Sequence, residues 1–200
     1  VREPNPEPIE IKETLWSIWP TWESWTWPDF EGKNIQVEVY SKYPEVRLYL
    51  DNKLIGEQAT TSEQQFKATF SVPYSPGLLK AVGVENNKEV ESTILQTSGK
   101  AARIKLTADR KEILANGQDL SFVTVEIIDK DGIFQPNATN RLHFKIEGAG
   151  AIAGVGNADI KDTDPYVGDT RKAWYGRALV VIKSNHNAGN IKLTVTSPGL

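Results

Sequence analysis

Nucleophilic catalysis needs a hydroxyl or thiol beside a base. The chain has no cysteine and two histidines, His143 and His186. His143 falls on the polar side of an alternating apolar run, and His186 stands in the Asn-rich stretch Asn185–Gly189. Neither lies near a serine of the G-x-S-x-G kind, so both are expected at the surface. Two histidines so far apart also argue against a zinc site. Paired carboxylates are the chemistry of glycoside hydrolysis, and with 26 acidic residues pairs are easily drawn. None sits in a recognisable catalytic context. The densest group, Asp159, Asp162, Asp164 and Asp169, is oxygen-rich enough to suggest calcium, but its spacing does not match an EF-hand loop. A solvated acidic loop is the expectation there. No cofactor is implied.

The run from Gly148 to Gly156 has the glycine density of a phosphate-binding loop, but no helix pattern follows it, as a dinucleotide fingerprint requires. Glycines that permit a bulge or close sheet packing account for it better. Asn137-Ala-Thr139 fits a glycosylation sequon and carries little weight. The most unusual stretch is the first 30 residues. Pro4, Pro6 and Pro8 are followed by five of the six tryptophans: Trp16, Trp19, Trp22, Trp25 and Trp27. Pro20 and Pro28 interrupt this stretch, which argues against one continuous helix. Buried indoles would mean packing on a neighbouring domain, whereas exposed ones would offer faces for sugar rings. Packing is the favoured reading. Trp174, in Arg171-Lys-Ala-Trp-Tyr-Gly-Arg177, carries the same two readings.

The elements that must position these residues are strands. Ile35, Val37 and Val39 alternate with polar residues, as do Val46, Leu48 and Leu50; Phe66, Ala68, Phe70 and Val72 predict the next strand. Leu78–Glu85 and Val90–Leu95 follow, separated at Asn86-Asn87, and Asp51-Asn52 suits a tight hairpin. After Thr97-Ser98-Gly99-Lys100, a linker by composition, the pattern restarts. Ile104, Leu106 and Ala108 alternate, then Val123, Val125 and Ile127, then an Asp129–Gly132 turn. Leu142, Phe144 and Ile146, then Leu179–Ile182, then Ile191, Leu193 and Val195 complete the set. No convincing helical stripe appears. The predicted class is all-β, two immunoglobulin-like antiparallel sandwiches in tandem. The predicted divisions are a Trp/Pro-rich leader over 1–33, the rest of the first sandwich over 34–97, and a second sandwich over 98–200. A single barrel of 200 residues is the competing architecture.

A net charge of −3 with scattered basic residues gives no argument for nucleic acid. No apolar run approaches the roughly 18 residues that span a bilayer. Methionine is absent and the chain opens on Val1, so a segment of a longer or processed product is expected.

Several stretches, in order, resemble one family. Trp25-Thr-Trp27-Pro-Asp-Phe-Glu31-Gly-Lys33 is similar to the W-N-W-P-G-x-E-G-K segment that follows the catalytic barrel in many glycoside hydrolase family 2 β-galactosidases. Val37 to Gly56 resembles their V-x-V-Y-S-N-x-x-x-V-E-L-F-L-N-G-K-x-x-G stretch. Leu114 to Glu126 is similar to the A-D-G-x-D-L-x-x-V-T-V-E opening of their C-terminal sandwich, and Ile152–Asp159 and Arg171–Leu179 continue the likeness. Thr26, Asp29 and Asn52-Lys53 depart from the pattern in turn details. The resemblance implies a non-catalytic accessory region that supports a (β/α)8 barrel upstream in the same polypeptide and shapes substrate access. The acid/base and nucleophile glutamates would lie in that barrel. It also implies a periplasmic or secreted setting. Exposed tryptophan faces would add carbohydrate as a further partner. A carbohydrate-binding module, with Trp19, Trp22 and Trp25 in an exposed row, is the alternative. A surface adhesin fits less well, because the two halves show no internal similarity.

Overall fold

The computed structural model describes Val1 and residues 21–200. The chain divides into two compact units, Val1–Thr97 and Ser98–Leu200. Each is an antiparallel immunoglobulin-like β-sandwich, and no α-helix occurs among the described residues. None of their helical turns is long and apolar enough to cross a membrane.

The described residues of the first unit form six strands: β1 (Asn34–Tyr40), β2 (Glu45–Leu50), β3 (Lys53–Ala59), β4 (Lys67–Pro73), β5 (Leu78–Glu85) and β6 (Lys88–Gln96). β1 pairs with β4, and the facing sheet runs β3-β2-β5-β6. Period-two alternation sends Ile35, Val37, Val46, Leu48, Phe70, Val72, Leu79 and Ala81 inward to one core. Asp51 and Asn52 take φ 48° and 65°, and Asn86 and Asn87 take 51° and 59°. Those values belong to the hairpin turns whose twist matches the strands, and Asn and Asp tolerate them best. Phe66 is a correction to the alternation. It has φ 57°, is 53% exposed, and donates its N–H to Thr61 C=O at 3.0 Å. It closes the turn at Ser62–Gln64, and β4 begins one residue later.

The second unit contains β7 (Arg103–Ala108), β8 (Leu120–Ile128), β9 (Arg141–Gly148), β10 (Gly150–Gly156), β11 (Thr170–Lys172), β12 (Arg177–Ser184) and β13 (Ile191–Thr196). One sheet runs β10-β12-β8-β7 and the other β11-β9-β13. Val123, Val125, Ile127, Leu142, Phe144, Val180 and Ile182 form the core. The glycine run is strand β10, with its register broken between Ile152 and Gly154. A Cβ on Gly148, whose φ is 97°, would lie 2.0 Å from the Asn190 carbonyl oxygen. The main chains approach closely there, and only glycine fits. The Asp129–Gly132 turn is built on one buried carboxylate. Asp129 is 3% exposed and accepts N–H groups from Gly99 (2.8 Å), Asp131 (2.9 Å) and Ile133 (2.8 Å).

Candidate functional site

Trp16 and Trp19 lie outside the described residues. Trp22 is half-buried and donates its backbone N–H to Val1 C=O at 2.7 Å. Trp25 is fully buried at 0% exposure and belongs to the core of the first sandwich. Its indole Nε1 donates to Ser75 C=O at 3.0 Å, and its ring meets Tyr74 edge-on at 5.1 Å between centroids. Its carbonyl accepts from Thr97 Oγ1 at 2.5 Å. The Tyr74 hydroxyl in turn accepts the Trp27 N–H at 3.1 Å. Trp27 is half-buried, with its Nε1 enclosed and unbonded among the described residues. An exposed row that includes Trp25 is therefore not what this fold presents. The indole closes the sandwich where the β4–β5 connection and the residue after β6 converge.

Trp174 sits elsewhere, beside a two-residue turn in the connection from β11 to β12. Trp174 and Arg177 exchange N–H···O=C bonds of 2.9 and 3.0 Å around Tyr175 (φ 46°) and Gly176 (φ 75°). Trp174 is half-buried and packs edge-on against the exposed Tyr175 at 4.6 Å. Beside it, the Arg177 guanidinium lies 4.1 Å over the Phe134 ring and bonds Glu126 at 3.1 Å, and Lys105 reaches the same carboxylate at 3.1 Å. A tyrosine at positive φ is uncommon and costs backbone strain. Trp174 thus belongs to the second unit and Trp25 to the first.

The acidic loop between β10 and β11 differs from a merely solvated loop. It is organised on Arg171, whose side chain is 1% exposed. The guanidinium contacts Asp162 at 3.0 Å and donates to the carbonyls of Val155 (2.8 Å), Pro165 (3.1 Å) and Asp164 (3.1 Å). Its Nε is buried without a hydrogen-bond partner among the described residues. Asn157 donates to Asp162 at 2.5 Å and to Lys172 C=O at 2.9 Å. Asp164 pairs with Arg141. The physical reason is charge: a buried guanidinium requires a carboxylate and several acceptors around it. Sequence reasoning missed Arg171, since a three-residue strand has too little pattern to show which residue turns inward. Among the described residues, no three His, Cys, Asp or Glu side chains converge as metal ligands. His143 and His186 are both exposed.

The carboxylates of the second sandwich hold its loops. The Phe122 N–H lowers the Asp109 pKa, the Leu114 N–H lowers that of Asp119, and the Asp164 N–H, with Arg171 and Asn157, lowers that of Asp162. Burial pushes Glu126 and Asp129 up, but Lys105 and Arg177 outweigh it for the first and backbone N–H groups for the second, so both also lie low. In the first sandwich the Tyr43 hydroxyl and then Lys42 hold Glu91 low. A carboxyl depressed in the folded state stabilises it above the unfolded pKa of about 4, and that contribution is lost as pH falls through the folded value. Acidification is therefore expected to loosen the loops that Asp109, Asp119, Asp129 and Asp162 hold. Residue-resolved amide exchange between about pH 5 and pH 2 checks this; unchanged protection of those loops as pH falls would contradict it.

Residues 104–200 match the glycoside hydrolase family 2 C-terminal domain 5, and residues 32–91 match a domain of unknown function, DUF4982. The beta-galactosidase BoGH2A of Bacteroides ovatus is 37% identical over 184 residues, which cover 92% of this chain and 21% of that protein. A crystal structure of a glycosyl hydrolase family 2 member from Bacteroides cellulosilyticus superposes with a TM-score of 0.92 at 36% identity, over 98% of this chain and 26% of that one. A beta-glycosidase from Bacteroides vulgatus gives a TM-score of 0.84 at 30% identity, over 88% and 22%. The chain thus spans about a fifth to a quarter of the length of these relatives. Two consecutive sandwiches that match these proteins in sequence and in fold belong to the C-terminal domains of glycoside hydrolase family 2.

Proposed function

We propose that the chain is a non-catalytic accessory region of a β-galactosidase-like glycosidase. Its sandwiches support a (β/α)8 catalytic barrel in the same polypeptide and shape access to the substrate. The observation that carries this reading is the continuous match over 92% of the chain to 21% of a β-galactosidase. The use of Asp109, Asp119, Asp129 and Asp162 as backbone acceptors supports it, because those carboxylates act as loop anchors. The test is hydrolysis of p-nitrophenyl β-galactoside and β-glucuronide by this chain and by the polypeptide that includes the barrel. Turnover is expected from the longer polypeptide only. Turnover by the chain alone overturns the reading. Removing the two sandwiches from the longer polypeptide is expected to lower its melting temperature.

The aromatic pair at the turn between β11 and β12 favours a second reading, carbohydrate binding, because half-exposed rings offer stacking faces. Binding of galactosides at millimolar concentration by the isolated chain, lost in Tyr175→Ala, would favour it over a purely supporting role.

A further inference from the structure

The last residue of β12 carries a buried hydroxyl that the fold leaves unused. Ala178, Val180, Ile182 and Ser184 form the buried side of this strand, alternating with Arg177, Leu179, Val181 and Lys183. The first three belong to the core of the second sandwich. Ser184 continues their inward face with a polar group and is 4% exposed. Its backbone is engaged, since its N–H donates to Asp119 C=O at 3.0 Å and it pairs with Gly150 of β10. Its Oγ is enclosed and has no hydrogen-bond partner among the described residues. Buried hydroxyls are as a rule bonded, and one left without a partner costs about 1–3 kcal/mol.

Ser184 lines a cleft of about 470 Å³. Three connections wall it: Lys111–Ala115 between β7 and β8, Ala149 between β9 and β10, and Asn187–Asn190 between β12 and β13. The volume falls in the range of small-molecule sites, about 300–1,000 Å³. Hydrogen bonds fix the walls. Asn185 donates its N–H to Ala149 C=O, and Ala149 donates its own to Asn190 C=O, both at 3.0 Å. The Asn187 N–H goes to Asn185 Oδ1 at 2.8 Å, and the Leu114 N–H to the Asp119 carboxylate at 2.7 Å. The cleft is therefore preformed.

Its chemistry is mixed and close to neutral. Half-buried Ile113 and Ile191 supply apolar surface, and Asn187 and Asn190 supply carboxamides that both donate and accept. The two charges on its lining, Lys111 and Glu112, are adjacent and of opposite sign. An ion would find no net countercharge here, and an apolar ligand would leave the hydroxyl and carboxamides unmet. A sugar ring suits both kinds of surface, because its hydroxyls donate and accept while its C–H faces rest on aliphatic side chains. We propose that this cleft binds one uncharged sugar unit, a hydroxyl of which pairs with Ser184 Oγ. The site is separate from the Trp174–Tyr175 pair and does not rest on the reading of that pair. The 8 residues of β12 put about 23 Å of strand between Arg177, beside the aromatic turn, and Ser184.

Amide NMR of this chain tests the proposal, with methyl β-galactoside and methyl β-xyloside as probes and sodium phosphate as the anionic control. Millimolar sugar is expected to shift the amides of Lys111–Ala115 and Asn187–Asn190 and to leave those around Tyr175 in place. Ser184→Ala should weaken this binding at least fivefold, the loss of one hydrogen bond of about 1 kcal/mol, whereas Tyr175→Ala should not change it. In the absence of sugar, Ser184→Ala should leave the melting temperature unchanged or raise it, since no bond within the fold is lost. A clearly lower melting temperature would show that the hydroxyl is bonded within the fold, and would overturn the proposal. No shift with either sugar, shifts centred on Tyr175, or a response to phosphate in place of the sugars would overturn it too.

Discussion

Replacing Trp25 by alanine is expected to cost the first sandwich about 3–5 kcal/mol, the range for emptying a large aromatic site in a core. Three losses combine. The indole is wholly enclosed, so the cavity it leaves borders Tyr74 and the inward residues of both sheets. The Ser75 carbonyl loses its Nε1 donor. The Tyr74 ring loses its edge-on partner, a contact worth about 0.5–1.5 kcal/mol beyond area. For a unit of this size the midpoint should fall by on the order of 15 °C. Trp25→Phe should recover much of the packing while leaving Ser75 unbonded, at a cost of about 1–2 kcal/mol. Trp22→Ala, at a half-buried position, should cost clearly less than Trp25→Ala. Thermal unfolding of the three variants decides. Equal, small losses at Trp22 and Trp25 would mean that the plug is not what closes this end of the sandwich.

Arg171→Met should destabilise the second sandwich by about 3 kcal/mol. Methionine fills much of the volume, so the effect comes from polar groups left without partners. The Val155, Pro165 and Asp164 carbonyls lose their donors, and Asp162 loses its cation. Arg171→Lys should not restore stability, because a single ammonium cannot present donors in the planar fork that meets acceptors on both sides. The loop between Asn157 and Asp169 should lose amide protection before the strands do. Uniform loss across β8, β9 and β12, with the loop no worse, would show that Arg171 acts by general packing rather than as the loop's anchor.

These two residues also mark the boundary between what pattern reveals and what assembly decides. Alternation is a local property, because successive side chains on a strand face opposite ways. Ile35-Val37, Val46-Leu48, Val123-Val125-Ile127 and Leu142-Phe144 therefore announced their strands and their inward faces. Asp51-Asn52 and Asn86-Asn87 announced their turns for the same reason, since positive φ is a preference of single residues. From these follows the all-β, antiparallel class. The ordered likeness from Trp25 onward pointed to the family.

Other features have no local cause. β11 is three residues long, too short for periodicity, and it exists because β9 offers it an edge. Phe66 continues the apolar alternation yet lies outside β4, because the turn at Ser62–Gln64 takes its N–H. Trp22, Trp25 and Trp27 look alike in sequence. Their different burial depends on Tyr74, Ser75 and Thr97, which lie about 50 to 72 positions away in the chain. Arg171 reads as one more charge in a polar stretch until β10, β11 and the acidic loop close around it. The amino-acid sequence alone determined strand content, turn positions and kinship, all of which rest on neighbouring residues. The tertiary structure decided which tryptophan is core and which arginine is buried, because burial and pairing depend on residues that only folding brings together.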